Sequence, residues 1–167
     1  YVWLWLYNES YGVIIHTLKN LNLMSDDYNV WLTRNSSLIA VNIQITWKFF
    51  GISMIIMLAG LQSISDDFYE ASKLMGASRF QTIWNITLPL IKTSIALSLI
   101  LSIAGSMQAY EPFLILTQGG PANSTKSLVM HIVDTGIEYY KLGPASAMGT
   151  ALMIILLVIT VMQLYFF

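Results

Sequence analysis

The chain has no cysteine, and only 10% of its 167 residues are charged. It therefore has no disulfide framework, no thiolate metal site and no cysteine nucleophile. Lys and Arg number 8 against 9 Asp and Glu, a formal net charge of -1, so no basic surface exists for a nucleic-acid backbone. A soluble domain is about 25% charged. This chain is instead 56% hydrophobic with a mean hydropathy of +0.63, which argues against a water-soluble globule. A Gly-x-x-x-x-Gly-Lys-Ser/Thr phosphate loop is also missing, because Gly119-Gly120 has no lysine at the required spacing. No hydrolase constellation or metal cluster can be assembled. His16 and His131 stand far apart in sequence and read as ordinary polar surface residues. With Tyr1 first and an apolar run last, the sequence reads as a piece of a longer protein.

Long apolar runs are abundant. A membrane-crossing helix needs roughly 20 apolar residues at about 1.5 Å rise each. Leu38 to Leu61, Leu90 to Leu116 and Ala145 to Phe167 all reach that length, and none alternates apolar with polar residues as a strand would. The expected fold class is an all-α integral membrane protein, one transmembrane domain over 1–167. It has three complete spans (38–61, 90–116, 145–167) plus the end of a fourth within 1–18, where Trp3, Trp5 and Tyr7 suit an aromatic belt. Polar segments 8–37, 62–89 and 117–144 lie between. Lys73 and Arg79, with Lys92 just past its edge, give the middle segment one more cation than either neighbour, a bias that favours it inside.

That middle segment has its own grammar. Ser65 can cap a helix whose first turn carries Asp66 and Asp67 at the positive end of the dipole. Gly76 supplies a left-handed stop. Ser78 and Gln81 have capping-box spacing for a second helix through Phe80, Ile83, Trp84 and Ile86. Pro89 disfavours helical geometry at Leu88 and predicts a bend there. Taken alone, these signals fit an ordinary interfacial loop as well as a rigid helix-elbow-helix that receives a push from a partner.

The spacing Glu70-Ala71-Ser72, three residues, Gly76, nine residues, Ile86, one residue, Leu88-Pro89 resembles the EAA motif of membrane subunits of binding-protein-dependent ABC importers. Ser72 stands where that family has a second alanine, and Met75 where many relatives have Asp. Met57 to Ile64, the outer-loop run Leu116-Thr117-Gln118-Gly119-Gly120-Pro121 with Ser124-Thr125, the Trp-rich stretch Trp3 to Gly12 and Ala145-Ser146-Ala147 are similar to the sugar-permease branch. The resemblance implies a multi-pass protein of the bacterial cytoplasmic membrane that holds no cofactor. ATP and Mg would be bound by a separate ATP-binding cassette subunit, with a second permease subunit and an extracytoplasmic solute-binding protein completing the assembly. It further implies that Glu70, Ala71, Ser72, Gly76 and Pro89 form the cassette-coupling element, with Glu70 paired to a cassette cation, Ala71 permitting close approach and Gly76 setting the elbow. The chain itself would be no enzyme.

Candidate solute contacts come from depth. Counting about 1.5 Å per residue up from Gln62 puts Lys48 about 21 Å, Gln44 about 27 Å and Asn42 about 30 Å from the cytoplasmic end. Counting up from Leu90 puts Gln108 about 27 Å and Glu111 about 31 Å up. Amides and charges at such depth are costly against lipid. Together with Trp47 and Tyr110 they offer the stacking faces and hydrogen-bonding groups a sugar ring needs. The competing reading has Lys48 snorkelling, Asn42 and Gln44 bonding across helices, and the aromatics in a belt. Pro112 is expected to bend the span just beyond Glu111. The function the resemblance implies is a carbohydrate permease subunit; the alternatives are a permease for a non-sugar solute, or a membrane scaffold or enzyme.

Overall fold

A computed structural model describes residues 1–23, 29–31 and 33–167. The expected outer segment 8–37 is thus covered except at 24–28 and 32, which lie outside the described residues. All regular structure among the described residues is helical. In chain order the helices are α1 (Val2–Leu6), α2 (Val13–Asn20), α3 (Arg34–Gln62), α4 (Asp66–Leu74), α5 (Arg79–Thr82), α6 (Leu88–Leu90), α7 (Lys92–Met107), α8 (Glu111–Leu116), α9 (Leu128–Val133) and α10 (Leu142–Phe166), with π turns at Ile83–Thr87 and Asp134–Glu138.

Helices α3 and α10 are each long and apolar enough to cross a membrane. At about 1.5 Å per residue they rise about 43 and 37 Å, against a hydrocarbon core of roughly 30 Å. A third crossing is present if Arg79–Leu90 and Lys92–Met107, bent by 65°, count as one span. The expected single helix over 90–116 is therefore broken. α7 ends at Met107, and Gln108 to Tyr110 leave the helix before α8 restarts with Pro112 in its first turn. A proline has no backbone donor and is tolerated only in a first turn, so the break precedes Glu111 instead of following it. α10 likewise opens at Leu142, three residues ahead of Ala145, with Pro144 in its first turn.

The chain divides into two compact units, Tyr1–Trp47 with Gln108–Ala151, and Lys48–Met107 with Leu152–Phe167. In the first, Tyr7, Ile15, Val30 and Ala40 form a buried cluster flanked by Trp3, Ile14 and Trp31. The Tyr7 hydroxyl donates to the Ala40 carbonyl at 3.2 Å, which satisfies the one polar atom that this ring carries into the cluster. α1 turns into α2 through an Asn8 side chain that accepts from the Ser10 and Tyr11 amides at 2.9 and 3.3 Å. A Cβ on Gly12 would lie 2.6 Å from the Asn8 nitrogen, so only glycine fits that turn.

In the second unit, α3 and α7 pack on small residues. The Ser53 and Ser102 hydroxyls are 3.3 Å apart. A Cβ on Gly60 would lie 2.7 Å from the Ser94 Cβ, and one on Gly105 would meet the Phe49 ring. Lipid gives helices no hydrophobic reason to associate, so close approach through small residues supplies the contact.

Candidate functional site

The segment between α3 and α7 is a folded elbow. The Ser65 hydroxyl accepts from the Asp67 amide at 3.3 Å and opens α4, with Asp66 and Asp67 in the first turn and Lys73 in the last. The helix closes in a Schellman arrangement: the Gly76 amide donates to the Lys73 carbonyl and the Ala77 amide to the Ser72 carbonyl, both at 3.0 Å, with Gly76 at φ +73°. Two residues later Ser78 and Gln81 form the expected reciprocal capping box, the Ser78 amide donating to Gln81 Oε1 at 2.8 Å and the Gln81 amide to Ser78 Oγ at 3.3 Å.

The second arm departs from expectation after Thr82. The π turn at Ile83–Thr87 carries the Leu88 amide to the Ile83 carbonyl, five residues back instead of four. The wider turn makes room for the Pro89 ring, which would otherwise press on the carbonyl four residues earlier. Leu88 therefore stays helical (φ -60°, ψ -46°), and the bend falls at Ile91 (φ -89°, ψ 7°).

The elbow separates its five expected coupling residues into two groups. Glu70, Ala71, Gly76 and Pro89 are exposed, and Ser72 is buried. The Ser72 hydroxyl donates to the Tyr69 carbonyl at 2.8 Å and accepts from Thr82 Oγ1 at 3.3 Å, so it ties the arms together from inside. A second tie joins Tyr69 and Thr87, whose hydroxyls are 3.4 Å apart. At the tip, Leu74 and Met75 are 90% and 86% exposed, and Phe80 and Trp84 form an exposed ring pair at 5.9 Å. Large apolar side chains left in the open suit contact with a partner or with the membrane. Sequence reasoning passed over this tip, although Leu74-Met75 directly before a glycine stop was a readable signal.

The seven residues chosen by depth take varied places. Asn42 Nδ2 donates back to the Leu38 carbonyl at 2.8 Å, so its amide is partly satisfied within its own helix. Gln44 Oε1 is buried with no hydrogen-bond partner among the described residues. Trp47, 68% exposed, meets Trp3 edge-on at 6.5 Å, a contact that suits a belt residue. Lys48 is exposed; Gln108 is exposed in the turn after α7, and Glu111 is exposed in the first turn of α8. Tyr110 is half-buried and is the one member of the seven that lines the cleft described next.

Within the first unit lies an open, polar cleft of about 620 Å³. Tyr110 and Gln118 line it from the α8 side, and Asp134, Glu138 and Tyr139 from the π turn after α9. Lys126 and Asp134, both in the lining, form an ion pair. The hydrogen bond that the Lys126 ammonium donates to Asp134 holds its pKa above the ordinary lysine range. The pairing therefore persists at neutral pH and is lost as pH rises through that raised value. The loop between is internally bonded: the buried Thr125 hydroxyl donates to the Gly120 carbonyl at 2.6 Å and lies 2.8 Å from Thr117 Oγ1. Gln118 and Asn123 sit at φ +50° and +59° beside Gly119 at +83°. Gln118, Asn123, Glu138 and Tyr139 were all missed in the sequence, because a loop of this kind is built by contacts no periodicity records. Among the described residues, no cluster of three or more His, Asp or Glu could hold a metal ion.

These features define a helical chain with long apolar, membrane-crossing helices and a stiff folded elbow between α3 and α7. Residues 4–167 match the binding-protein-dependent transport system inner membrane component family, and the chain belongs to it. It is 38% identical over 168 residues to a probable ABC transporter permease protein of Brucella suis biovar 1, covering 98% of this chain and 56% of that protein. It is 34% identical over 158 residues to the trehalose/maltose transport system permease protein MalF of Thermococcus litoralis, covering 94% of this chain and 51% of that one. The crystal structure of a bacterial ABC transporter involved in the import of the acidic polysaccharide alginate contains a chain that superposes with a TM-score of 0.83 at 24% identity. The match spans 99% of this chain and 57% of that chain, and it establishes the shared fold. The chain spans about half the length of the curated relatives it matches.

Proposed function

We propose that the chain is part of the permease subunit of an ATP-driven importer and forms, with a second permease subunit, the transmembrane path for a carbohydrate. An extracytoplasmic binding protein delivers the solute, and a separate ATP-binding cassette supplies the energy. The elbow is the observation that carries this reading. Two caps, a Schellman stop and two hydroxyl ties make it stiff, while Glu70, Ala71, Gly76 and an apolar tip face outward for a partner. A stiff element with an adhesive face can transmit a closing motion that a floppy loop would absorb. The sugar assignment draws support from the trehalose/maltose relative and from the motif resemblance.

Two measurements test it. The elbow must face the cytoplasm, and these 167 residues contribute no native cysteine: in an otherwise cysteine-free subunit, Ser78→Cys is expected to resist a membrane-impermeant thiol reagent in intact cells and to react once the membrane is opened. Reaction in intact cells overturns the reading. The solute path is probed by Gln108→Ala. A hydrogen bond lost to a desolvated sugar hydroxyl costs roughly 1 to 3 kcal/mol, so half-saturating solute for ATP-driven uptake should rise roughly 5- to 150-fold. Unchanged kinetics with unchanged expression removes Gln108 from the path.

A further inference from the structure

We infer that the cleft of the first unit is a binding site for a neutral oligosaccharide and discriminates against uronate-containing sugars. The inference rests on the carbohydrate-importer reading and adds to it a place and a charge rule.

The lining combines two groups of features. Tyr110 and Tyr139 bring aromatic residues to the lining, and Gln118 and Asn123 bring residues whose amides can donate and accept. Aromatic faces with amides beside them match the alternating C–H patches and hydroxyls of a pyranose ring. The polar members are also held in advance. Gln118 and Asn123 occupy left-handed backbone positions fixed by the Thr125 bonds to Thr117 and Gly120 and by the Thr125 amide bond to the Gly119 carbonyl at 3.1 Å. Preorganised groups lose little freedom on binding. A cleft of about 620 Å³ has the volume of ordinary small-ligand sites.

Charge narrows the ligand class. Three charged side chains line the cleft: Lys126, Asp134 and Glu138. The single cation pairs with Asp134 and also lies within electrostatic reach of Glu138, so two carboxylates share one ammonium. A sugar carboxylate entering here meets a like charge and finds no free cation. A neutral sugar offers hydroxyls that Glu138 can accept from, a stronger hydrogen bond than one between neutral groups. The expected preference for neutral over uronate trisaccharides is about tenfold or more.

The test uses the complete complex of the full-length subunit with its partners in lipid nanodiscs, without binding protein. Saturation-transfer NMR is recorded with gluco-, xylo- and galacto-trisaccharides and with a galacturonate trisaccharide. At least one neutral trisaccharide should show transfer to its ring protons, with the uronate about tenfold weaker. Tyr139→Ala should weaken the neutral ligand at least about fivefold. Glu138→Gln should narrow the gap between the two classes, and Gln118→Asn, which suits the left-handed backbone, should weaken binding while leaving the loop folded. Uronate binding equal to neutral binding, or neutral binding indifferent to Tyr139→Ala, overturns the proposal. So does an absence of neutral binding in a complex that still performs binding-protein-dependent uptake, and in that case the importer reading stands. Loss of ATP-driven uptake for every solute alongside intact saccharide binding sinks the importer reading instead.

Discussion

Gly76→Val is expected to leave the subunit inserted in the membrane while abolishing solute-stimulated ATP hydrolysis by the partner cassette. The residue stands at φ +73° and closes α4 through two backbone bonds. A β-branched side chain is strained there by about 1 to 2 kcal/mol, too little to undo helices whose membrane burial is independent of the elbow. Among the described residues, its two chain neighbours aside, nothing lies within 4 Å of where its Cβ would sit. The added bulk therefore projects into space that belongs to whatever docks on the elbow, and the effect should fall on transmission. Gly76→Asn separates the causes: asparagine tolerates the left-handed region, so its remaining defect reports bulk at the interface alone. Stimulated ATPase activity measured on purified complexes in lipid decides the matter. Full stimulation and uptake with Gly76→Val would mean that the elbow is an ordinary connection.

The second large effect concerns the packing of α3 on α7. Gly105→Leu should reduce the folded subunit severely, because the first atom of any side chain there would overlap the Phe49 ring. Overpacking costs about 1 to 3 kcal/mol when neighbours can shift, a factor of roughly 5 to 150 in the folded fraction. A ring wedged between two helix backbones has little room to shift, so the upper end is expected. Phe49→Ala in the same chain should recover much of the loss, since it removes the atoms in conflict. Resistance to graded SDS unfolding measures both. Equal resistance of Gly105→Leu and the parent would show that these helices do not approach as closely as the contact requires.

Signals in the elbow were legible wherever they were local. Ser65, Gly76 and the Ser78/Gln81 pair each act within four residues, and all three took their expected roles. What escaped was set by interactions that do not follow the sequence period. Pro89 announces a disturbance, yet the π turn before it absorbs the strain and moves the bend to Ile91. The depth count assumed one straight helix from Leu90 to Leu116. The break at Gln108 to Tyr110 makes that count invalid for Glu111, which begins a new helix. Ser72 was grouped with the coupling residues by the motif resemblance alone; its bonds to Tyr69 and Thr82 put its side chain on the inner side of the elbow. The cleft left no trace beyond the unusual run Gln118-Gly119-Gly120-Pro121. Its lining residues are adjacent through Thr125, and an apolar tally cannot register a threonine hydroxyl.

The π turn at Ile83–Thr87 has a further consequence for the elbow. It holds one residue more per hydrogen-bonded ring than the α-helical pieces on either side. In an uninterrupted α-helix the Pro89 ring would press on the carbonyl four residues back. Shortening this arm by one residue would therefore restore that clash, and the arm would kink at the proline. Glu70 and the Leu74-Met75 tip would still be capped and still exposed, but tilted off their present bearing. The extra residue works as a spacer for a ring: the caps decide that an elbow forms, and the π turn lets its second arm run through Pro89 without a kink.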